Sequence, residues 1–343
     1  MSTEALDEAT ALARTGTDLS REQAAGALAV IMAGEAEEGQ IRELLLALRE
    51  KGETPDELAG MAQTMRALAS EVRPGRGDLL DTCGTGGGRQ TFNISTAAAL
   101  VAAGAGCAVA KHGNRTATGL TGSADVLEEL GAALDLEAEA EAVLIDELGF
   151  GFMFAPAHHA ATRYVVPVRK ALGVSTIFNL LGPLTNPAGA RRQLIGVWEP
   201  GRLDIMAGAL AELGTEHALV VSSLDGLDEI SISGPTAARE VQGASVQELT
   251  ITPGELGLPE SPFDSIPAGN AAESAGVITA VLAGEPGSAR DIVVANAAAA
   301  IHVAGGASSL GEAAERAAAS IDSGAARDVL AAYVERSREM AGR

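Results

Sequence analysis

The stretch LLDTCGTGGGRQTFNIST, residues 79–96, carries the pattern that decides the fold. A short apolar run enters a loop with glycines at positions 84, 86, 87 and 88, and an Asn-x-Ser-Thr helix start follows at Asn93. Glycines let the backbone approach a ligand closely, and the N–H groups at a helix start attract anions. The spacing fits neither the Walker pattern nor a clean dinucleotide fingerprint, and the lysine of those loops is absent. The loop is therefore either a tight structural turn or a phosphate cradle.

The same alternation of short apolar runs and helical segments continues outward from this stretch. Further apolar runs at 108–110 and 219–221 follow the run at 79–81, with helices expected at 95–105 and from Ser123. Strands that alternate with helices predict a parallel α/β sheet. Residues 239–251 indicate an antiparallel addition to it, and residues 288–340 return to helix.

Residues 1–73 indicate consecutive helices. Ser20 with Gln23, and Thr54 with Glu57, have the spacing of capping boxes, and Pro55 suits a first helical turn. We therefore predict a small all-helical N-terminal domain, residues 1–73, completed by a segment near 175–195. Residues 74–343 would form a large α/β domain with a mostly parallel central sheet flanked by helices.

Composition narrows the class of protein and its partners. The 343 residues are 47% hydrophobic and only 3% aromatic, which predicts a core of closely packed aliphatic side chains. A net charge of -22 repels a nucleic-acid backbone, so no nucleic-acid partner is expected. Two cysteines are too few for a disulfide framework, and neither a signal peptide nor an 18-residue apolar run is present. We expect a cytoplasmic protein with no membrane partner.

Two further motifs follow apolar strands. The sequence KHGNR, residues 111–115, places Lys111, His112 and Asn114 at the carboxyl end of a predicted strand, where parallel sheets bind ligands. The sequence LDGLDEI, residues 224–230, places Asp228 beside Glu229, which suits hydrated Mg²⁺. Taken alone, KHGNR is equally consistent with a charged surface turn, and in a chain this acidic an Asp-Glu pair is usually solvated surface.

A fourth region combines histidines, arginines and a Pro-rich turn. It starts with FAPAHH at 154–159, passes through Arg163 and Arg169, and ends with IFNLLGPLTNP at 177–187. Arg169 can form a bidentate pair with a carboxylate. His158 and His159 are consistent with either a binding role or a structural one.

Together these motifs resemble the anthranilate phosphoribosyltransferase family. The resemblance covers about residues 20–335. It rests on GTGG with NIST, KHGNR, GSADVLEELG, FAP with a following His, PVRKALG, FNLLGPLTNP and DGLDE, in this order. It implies a helical domain joined to an α/β domain, a fold shared with pyrimidine nucleoside phosphorylases, and a homodimer formed through the helical domain. It also implies transfer of phosphoribose from phosphoribosyl pyrophosphate (PRPP) to anthranilate, the second step of tryptophan biosynthesis from chorismate.

The resemblance also assigns roles to individual residues. Those expected to hold PRPP are Gly84, Thr85, Gly86, Gly87, Thr91, Asn93, Ser95, Thr96, Lys111 and Thr118. Those expected to contact anthranilate are Gly84, His112, Asn114, His159, Arg169, Gly182 and Pro183. Two Mg²⁺ ions per monomer would be positioned by Ser95, Asp228 and Glu229. Lys111, Asp228 and Glu229 would stabilise the transition state, and no classical acid or base is expected, because the aromatic amine already carries a lone pair.

The sequence departs from the family pattern at two places. Gly88 replaces the usual acidic residue after GTGG, and residues 88–91 are one residue shorter than the common form. Thr118 and Gly119 stand where a serine pair is usual. We expect the first change to alter Mg²⁺ dependence or PRPP affinity.

Two alternatives stay open from the sequence. One is an enzyme like a pyrimidine nucleoside phosphorylase, and the other is a non-catalytic nucleic-acid-binding relative of the same fold. The negative charge and the Asp228-Glu229 pair argue against the second.

Overall fold

The computed structural model describes residues 3–116 and 120–342. The chain begins with four helices: α1 Glu4–Arg14, α2 Arg21–Met32, α3 Glu38–Lys51 and α4 Pro55–Ala67. Both predicted capping boxes are present, because Ser20 accepts from the Gln23 amide and Thr54 from the Glu57 amide. Each satisfies an N–H group that the first helical turn would otherwise leave without a partner.

A seven-stranded sheet forms the centre of the rest of the chain. Its strands are β1 Leu79–Gly84, β2 Ala108–Gly113, β3 Phe150–Phe154, β4 Arg192–Gly196, β5 His217–Ser223, β6 Thr236–Gln242 and β7 Ser245–Ile251. They lie in the order β3-β2-β1-β4-β5-β6-β7. β1 to β5 pair in parallel, whereas β6 and β7 are antiparallel, which confirms the predicted mostly parallel sheet and its antiparallel addition.

Helices cover the sheet and extend to the C-terminal end of the described chain. They are α5 Ile94–Gly104, α6 Ser123–Glu129, α7 Ala138–Leu148, α8 Ala155–His158, α9 Val166–Leu172, α10 Phe178–Leu181, α11 Leu203–Glu212, α12 Ala271–Leu282, α13 Ser288–Val303, α14 Leu310–Asp322 and α15 Ala325–Ala341. The helical region predicted at 288–340 therefore consists of three helices. In the described ranges no helix combines the length and apolar character needed to span a bilayer.

Alternating residues of the sheet face two different apolar cores. On β5, Leu219 and Val221 pack with α5 and α13, while Ala218 and Val220 face the side occupied by α11. This follows from the two-residue repeat of a strand, and β5, apolar on both faces, is typical of a buried parallel strand.

The N-terminal helices share the second core with a segment that follows β3. Val165, Ile177 and Leu181 belong to the same buried cluster as Leu28 and Leu44. In addition, Nε of Arg66 donates to the carbonyl of Leu184 over 2.6 Å. The segment around α9 and α10 therefore bridges the helical bundle and the carboxyl edge of the sheet.

Candidate active site

Two loops meet at the carboxyl edge of the sheet. The glycine loop, residues 84–91, starts at the end of β1, and the carboxylate loop, residues 224–230, follows β5. The Gly86 amide donates to Oδ2 of Asp228 over 3.1 Å, and the Arg89 amide donates to the carbonyl of Gly226 over 3.0 Å. Gly86 and Gly87 have φ angles of 65° and 95°, a region that favours glycine. The glycine loop is thus tied to the carboxylate loop by its own backbone.

Asp228 packs against three glycines, and there is room for it because these residues have no side chain. A Cβ at Gly84 would lie 2.7 Å from Oδ2 of Asp228, and one at Gly88 would lie 2.9 Å from Oδ1. A Cβ at Gly196, the last residue of β4, would lie 1.7 Å from the Asp228 carbonyl oxygen. Side chains at these positions would push the carboxylate loop away from the glycine loop.

Lys111 extends from β2 beneath the start of α5. Its side chain is buried, and Nζ donates to the Thr82 carbonyl over 2.5 Å and lies 3.5 Å from Oγ of Ser95. Burial lowers the pKa of Lys111, although the nearby carboxyl groups of Asp81 and Glu229 oppose this. The ammonium group is therefore held close to both the helix start and the carboxylate loop.

The Asp228-Glu229 pair has the properties of a cation site. Burial and the charge of Asp228 raise the pKa of Glu229 to about 8, while Lys111 and the Ser95 amide act in the opposite direction. Burial also raises the pKa of Asp228. The two carboxylates and the Ser95 hydroxyl are all oxygen donors, the type that Mg²⁺ prefers. A divalent cation here would relieve the repulsion between the two carboxylates, so the residues fit the expected metal.

The predicted phosphate-binding residues differ in how they connect to this centre. Gly84, Thr85, Gly86 and Gly87 lie in the glycine loop, and the Thr85 amide donates to the Gly196 carbonyl over 2.9 Å. Thr96 is buried at the start of α5, and its hydroxyl has no hydrogen-bond partner among the described residues.

Thr91 and Asn93 connect to other parts of the chain. The Thr91 hydroxyl donates to the Phe92 carbonyl over 3.0 Å, and Oδ1 of Asn93 accepts from Ser274 over 2.8 Å. Neither makes a hydrogen bond to the carboxylate loop. Thr118 lies outside the described residues, as does its neighbour Gly119.

Two histidines line the side of the site that faces the helical bundle. The rings of His112 and His159 have centroids 5.2 Å apart. Nδ1 of His112 lies 3.3 Å from the Gly182 carbonyl, and Nε2 of His159 lies 3.0 Å from the Thr185 carbonyl. Burial lowers the pKa of His112 to about 3 and that of His159 to about 4. Both rings are therefore neutral near pH 7.

His158 has a different environment from its neighbour His159. It is buried, with Nδ1 2.8 Å from the Ser70 carbonyl and Nε2 2.8 Å from Oε2 of Glu141. Burial opposes protonation, but the hydrogen bond and charge of Glu141 outweigh it and raise the pKa of His158. His158 therefore joins α8 to α7 and the chain after α4, which is a structural role.

Arg169 on α9 carries a positive charge on the side of the site that faces the helical bundle. Its guanidinium carbon lies 5.5 Å from the ring centroid of Phe178, and burial lowers its pKa. Among the described residues no carboxylate lies within ion-pair distance of it, in contrast to Arg115, which pairs with Asp125 and Glu128. A half-buried guanidinium without a carboxylate partner is suited to binding one from a ligand.

The remaining predicted contacts of this side belong to two turns. Gly182 is exposed, and its carbonyl accepts from the Thr185 hydroxyl over 3.0 Å, while buried Pro183 accepts from Nε2 of Gln193 over 2.8 Å. Asn114 is exposed, and its side chain accepts from the Arg115 amide over 2.7 Å.

The sequence did not single out several residues that shape the site. Gly196 fits against Asp228, and a Cβ at Gly87 would lie 2.8 Å from Nε1 of Trp198. The Arg89 guanidinium lies 3.3 Å from the ring centroid of Phe263. Trp198, two residues past the end of β4, was an available signal, whereas nothing local marks Gly196. Phe263 lies in a turn with no recognisable pattern.

Asp225, the first acid of the DGLDE motif, shapes its loop. It accepts from Ser231 over 2.7 Å and also from Ser223 and Ser233. These hydrogen bonds fold the loop that presents Asp228 and Glu229, so the three acids of the motif have different environments.

Comparisons with known proteins agree with this geometry. Residues 8–69 match the helical bundle domain of a glycosyl transferase family, and residues 76–327 match its a/b domain. The anthranilate phosphoribosyltransferase of Symbiobacterium thermophilum is 51% identical over 329 residues, which cover 96% of this chain and 95% of that protein.

Solved structures give the same result. The anthranilate phosphoribosyltransferase of Thermus thermophilus is 43% identical, with a TM-score of 0.91, covering 96% of this chain and 99% of that one. The Saccharomyces cerevisiae enzyme in complex with PRPP and Mg is 26% identical, with a TM-score of 0.90, covering 98% of this chain and 99% of that one.

Proposed function

This chain belongs to the anthranilate phosphoribosyltransferase family, and from this premise we infer that it transfers the 5-phosphoribosyl group of PRPP to the amine of anthranilate. The products are N-(5-phosphoribosyl)anthranilate and pyrophosphate, in tryptophan biosynthesis. The observation that carries the inference is the junction of the glycine loop with the carboxylate loop through Gly86 and Asp228. This junction brings anion-binding amides next to cation-binding carboxylates, which a metal-bound pyrophosphate requires.

The PRPP side of the site would consist of the glycine loop and the start of α5. Gly84, Thr85, Gly86 and Gly87 would contribute unhindered amides, and Ser95, Thr96 and Lys111 would contribute hydroxyl and ammonium groups, with Thr91, Asn93 and Thr118 completing the set. Two observations support this assignment: the buried hydroxyl of Thr96 has no partner in the described part of the chain, and Lys111 lies beside Ser95.

Mg²⁺ would be held by Ser95, Asp228 and Glu229, with two ions per monomer. The chemistry that the metal supplies when bound is stabilisation of negative charge on the departing pyrophosphate. Lys111 would add a fixed positive charge below the same group. Burial, together with the charge of the neighbouring Asp228, raises the pKa of Glu229 to about 8, which supports a cationic occupant.

Anthranilate would bind between the helical bundle and the sheet edge. Arg169 would pair with its carboxylate, while Gly84, His112, Asn114, His159, Gly182 and Pro183 would enclose the ring and orient the amine. The neutral state of His112 and His159 supports a positioning role, because a neutral ring does not repel Arg169. Alignment of the amine with the anomeric carbon is then the main contribution of these residues to the rate.

Several features of organisation belong to the same proposal. We propose a helical domain of residues 1–73 completed by the segment near 175–195, and an α/β domain of residues 74–343. The shared core of Ile177 and Leu181 with the helical bundle supports this division. We also propose a cytoplasmic homodimer formed through the helical domain, which family membership supports.

The activity can be tested through the fluorescence of anthranilate. Fluorescence should fall only when the purified protein, PRPP and Mg²⁺ are all present, and chelation of the metal should stop the decrease. A parallel reaction with thymidine and phosphate tests the phosphorylase alternative. Loss of thymidine without loss of anthranilate would overturn the proposed function.

A further inference from the structure

We propose that His217, Glu240 and His302 form a second metal site, specific for Zn²⁺ or a similar transition metal. His217 begins β5, Glu240 lies on the neighbouring strand β6, and His302 lies in the last turn of α13. One ligand atom from each lies within 4.8 Å of the others. Two imidazole nitrogens and one carboxylate oxygen are a common donor set for zinc, with water as a fourth ligand.

This cluster is separate from the substrate site. β5 runs from His217 to Ser223, and the carboxylate loop follows its other end. Six residue steps along a strand span about 20 Å, so His217 lies at the opposite edge of the sheet from Asp225. The donor type also differs, because Mg²⁺ prefers oxygen ligands only.

The orientation of His302 supports a metal ligand. Its Nδ1 lies 3.3 Å from the Ala307 carbonyl and therefore donates a hydrogen bond, which leaves the lone pair of Nε2 directed outward. Nε2 lies 3.5 Å from Oε1 of Glu240. A lone pair and a carboxylate oxygen facing each other repel, and either a proton on Nε2 or a shared metal ion relieves this repulsion. A backbone hydrogen bond that fixes the other ring nitrogen is typical of metal-binding histidines.

Glu240 is surrounded by hydrogen-bond donors rather than by a lysine or arginine of the described chain. Oε1 accepts from Nε2 of His217 over 2.7 Å and from Nε2 of Gln242 over 3.1 Å. No lysine or arginine of the described chain lies within ion-pair distance of it. Arg192, which is adjacent on β4, is instead bonded to Glu216 and to the Ala304 carbonyl. A bound metal would take Nε2 of His217 as its ligand, and the ring proton would then lie on Nδ1.

The bound metal would join the C-terminal end of α13 to β5 and β6. The side chains of His217, Glu240 and His302 are 18%, 15% and 20% exposed, so an ion can reach them from solvent while most of each group stays fixed. The helix end also contributes carbonyl groups with partial negative charge, which favour a cation. The site would therefore stabilise the edge of the sheet opposite the substrate.

Titration of the full-length, chelator-treated protein with Zn²⁺ tests the proposal, with excess Mg²⁺ present to occupy the carboxylate loop. We expect one zinc ion per chain, with affinity at least about tenfold weaker in His217→Gln and in His302→Gln. Glu248→Gln, a carboxylate on β7 with 78% side-chain exposure, is the matched control and should bind zinc normally. Transferase activity should be unchanged in all three variants, which shows that they fold.

The spectrum of Co²⁺ gives an independent readout. Co²⁺ in place of zinc should show the intense visible bands of four-coordination in the unmodified protein and in Glu248→Gln, and these should be lost in both histidine variants. If the histidine variants bind zinc as tightly as the unmodified protein, or the unmodified protein binds none in excess Mg²⁺, the proposed site does not exist.

Discussion

Gly196 at the end of β4 and Asp228 in the carboxylate loop are in direct backbone contact, and a Cβ at position 196 would lie 1.7 Å from the Asp228 carbonyl oxygen. Both atoms that would clash are fixed, one by the sheet and the other by a loop that Asp225 and three serines hold together. The position of Asp228 and Glu229, which follow β5, therefore depends on the absence of a side chain at the end of β4.

The substitution Gly196→Ala should displace Asp228 and Glu229 from the glycine loop. We expect the KM for PRPP to rise at least about tenfold, which corresponds to about 1.4 kcal/mol, because the amides and the carboxylates would no longer face the same pyrophosphate. Steady-state kinetics at saturating anthranilate measure this. The control is Gly201→Ala, since a Cβ there meets no atom within 4 Å. Equal KM values in the two variants would contradict the argument.

Gly88 tests the effect of the missing acidic residue. A Cβ at this position would lie 2.9 Å from Oδ1 of Asp228 and 3.0 Å from the Gly226 carbonyl. Gly88→Asp should therefore shift the Mg²⁺ concentration needed for half-maximal activity, with little effect on the KM for anthranilate. A titration of activity with Mg²⁺ measures the shift.

Gly88→Ala separates crowding from charge in that experiment. Alanine adds the same Cβ as aspartate but no carboxylate. Because a carboxylate attracts Mg²⁺, Gly88→Asp should reach half-maximal activity at a lower Mg²⁺ concentration than Gly88→Ala. Identical Mg²⁺ titrations of the two variants would show that the added charge does not reach the metal site.

The sequence predicted the elements that local chemistry determines. The capping boxes at Ser20 and Thr54 form because a hydroxyl and a third-position amide or carboxylate satisfy backbone groups within four residues. The parallel strands were recognisable because apolar runs alternate with helices. The motifs KHGNR and DGLDE met at one sheet edge because the carboxyl ends of parallel strands all lie on that edge.

Contacts that depend on tertiary packing could not be predicted from the local sequence. Nothing local at Gly196 shows that a loop from another strand lies against it, and nothing at Arg89 indicates the ring of Phe263. His217, Glu240 and His302 are separated by 23 and 62 residues in sequence, and only the pairing of β5 with β6 and the packing of α13 bring them together. Spacing carries no information about such clusters.

Arg169→Ala tests the anthranilate side of the site. Its guanidinium has no carboxylate partner among the described residues, so the substitution breaks no internal ion pair. We expect the KM for anthranilate to rise about tenfold or more, a cost of about 1.4 kcal/mol or more, from loss of a charge-assisted pair. The KM for PRPP should stay the same.

Arg163→Ala is the matched control for Arg169→Ala. Arg163 lies in the preceding turn, where its guanidinium carbon is 4.6 Å from the ring centroid of Tyr164, and it is exposed. It should leave the KM for anthranilate unchanged. An unchanged KM in Arg169→Ala as well would remove Arg169 from the substrate site.

The buried histidines predict how stability depends on pH. Burial lowers the pKa of His112 to about 3 and that of His159 to about 4, from an ordinary value of 6.5. As the pH falls below 6.5 the unfolded chain takes up protons that the folded chain does not. The free energy of unfolding therefore decreases, by at most about 1.4 kcal/mol per pH unit for each histidine, and the full contribution is present above that pH.

His159→Gln isolates one of these contributions. Glutamine can still donate to the Thr185 carbonyl, which His159 contacts over 3.0 Å, but it does not titrate. Between about pH 6.5 and pH 4, the Tm of the unmodified protein should therefore fall more steeply than that of the variant. His158, whose pKa is raised by Glu141, is present in both proteins and contributes with the opposite sign. Parallel Tm curves across this range would mean that the folded protein protonates His159 as readily as the unfolded chain does.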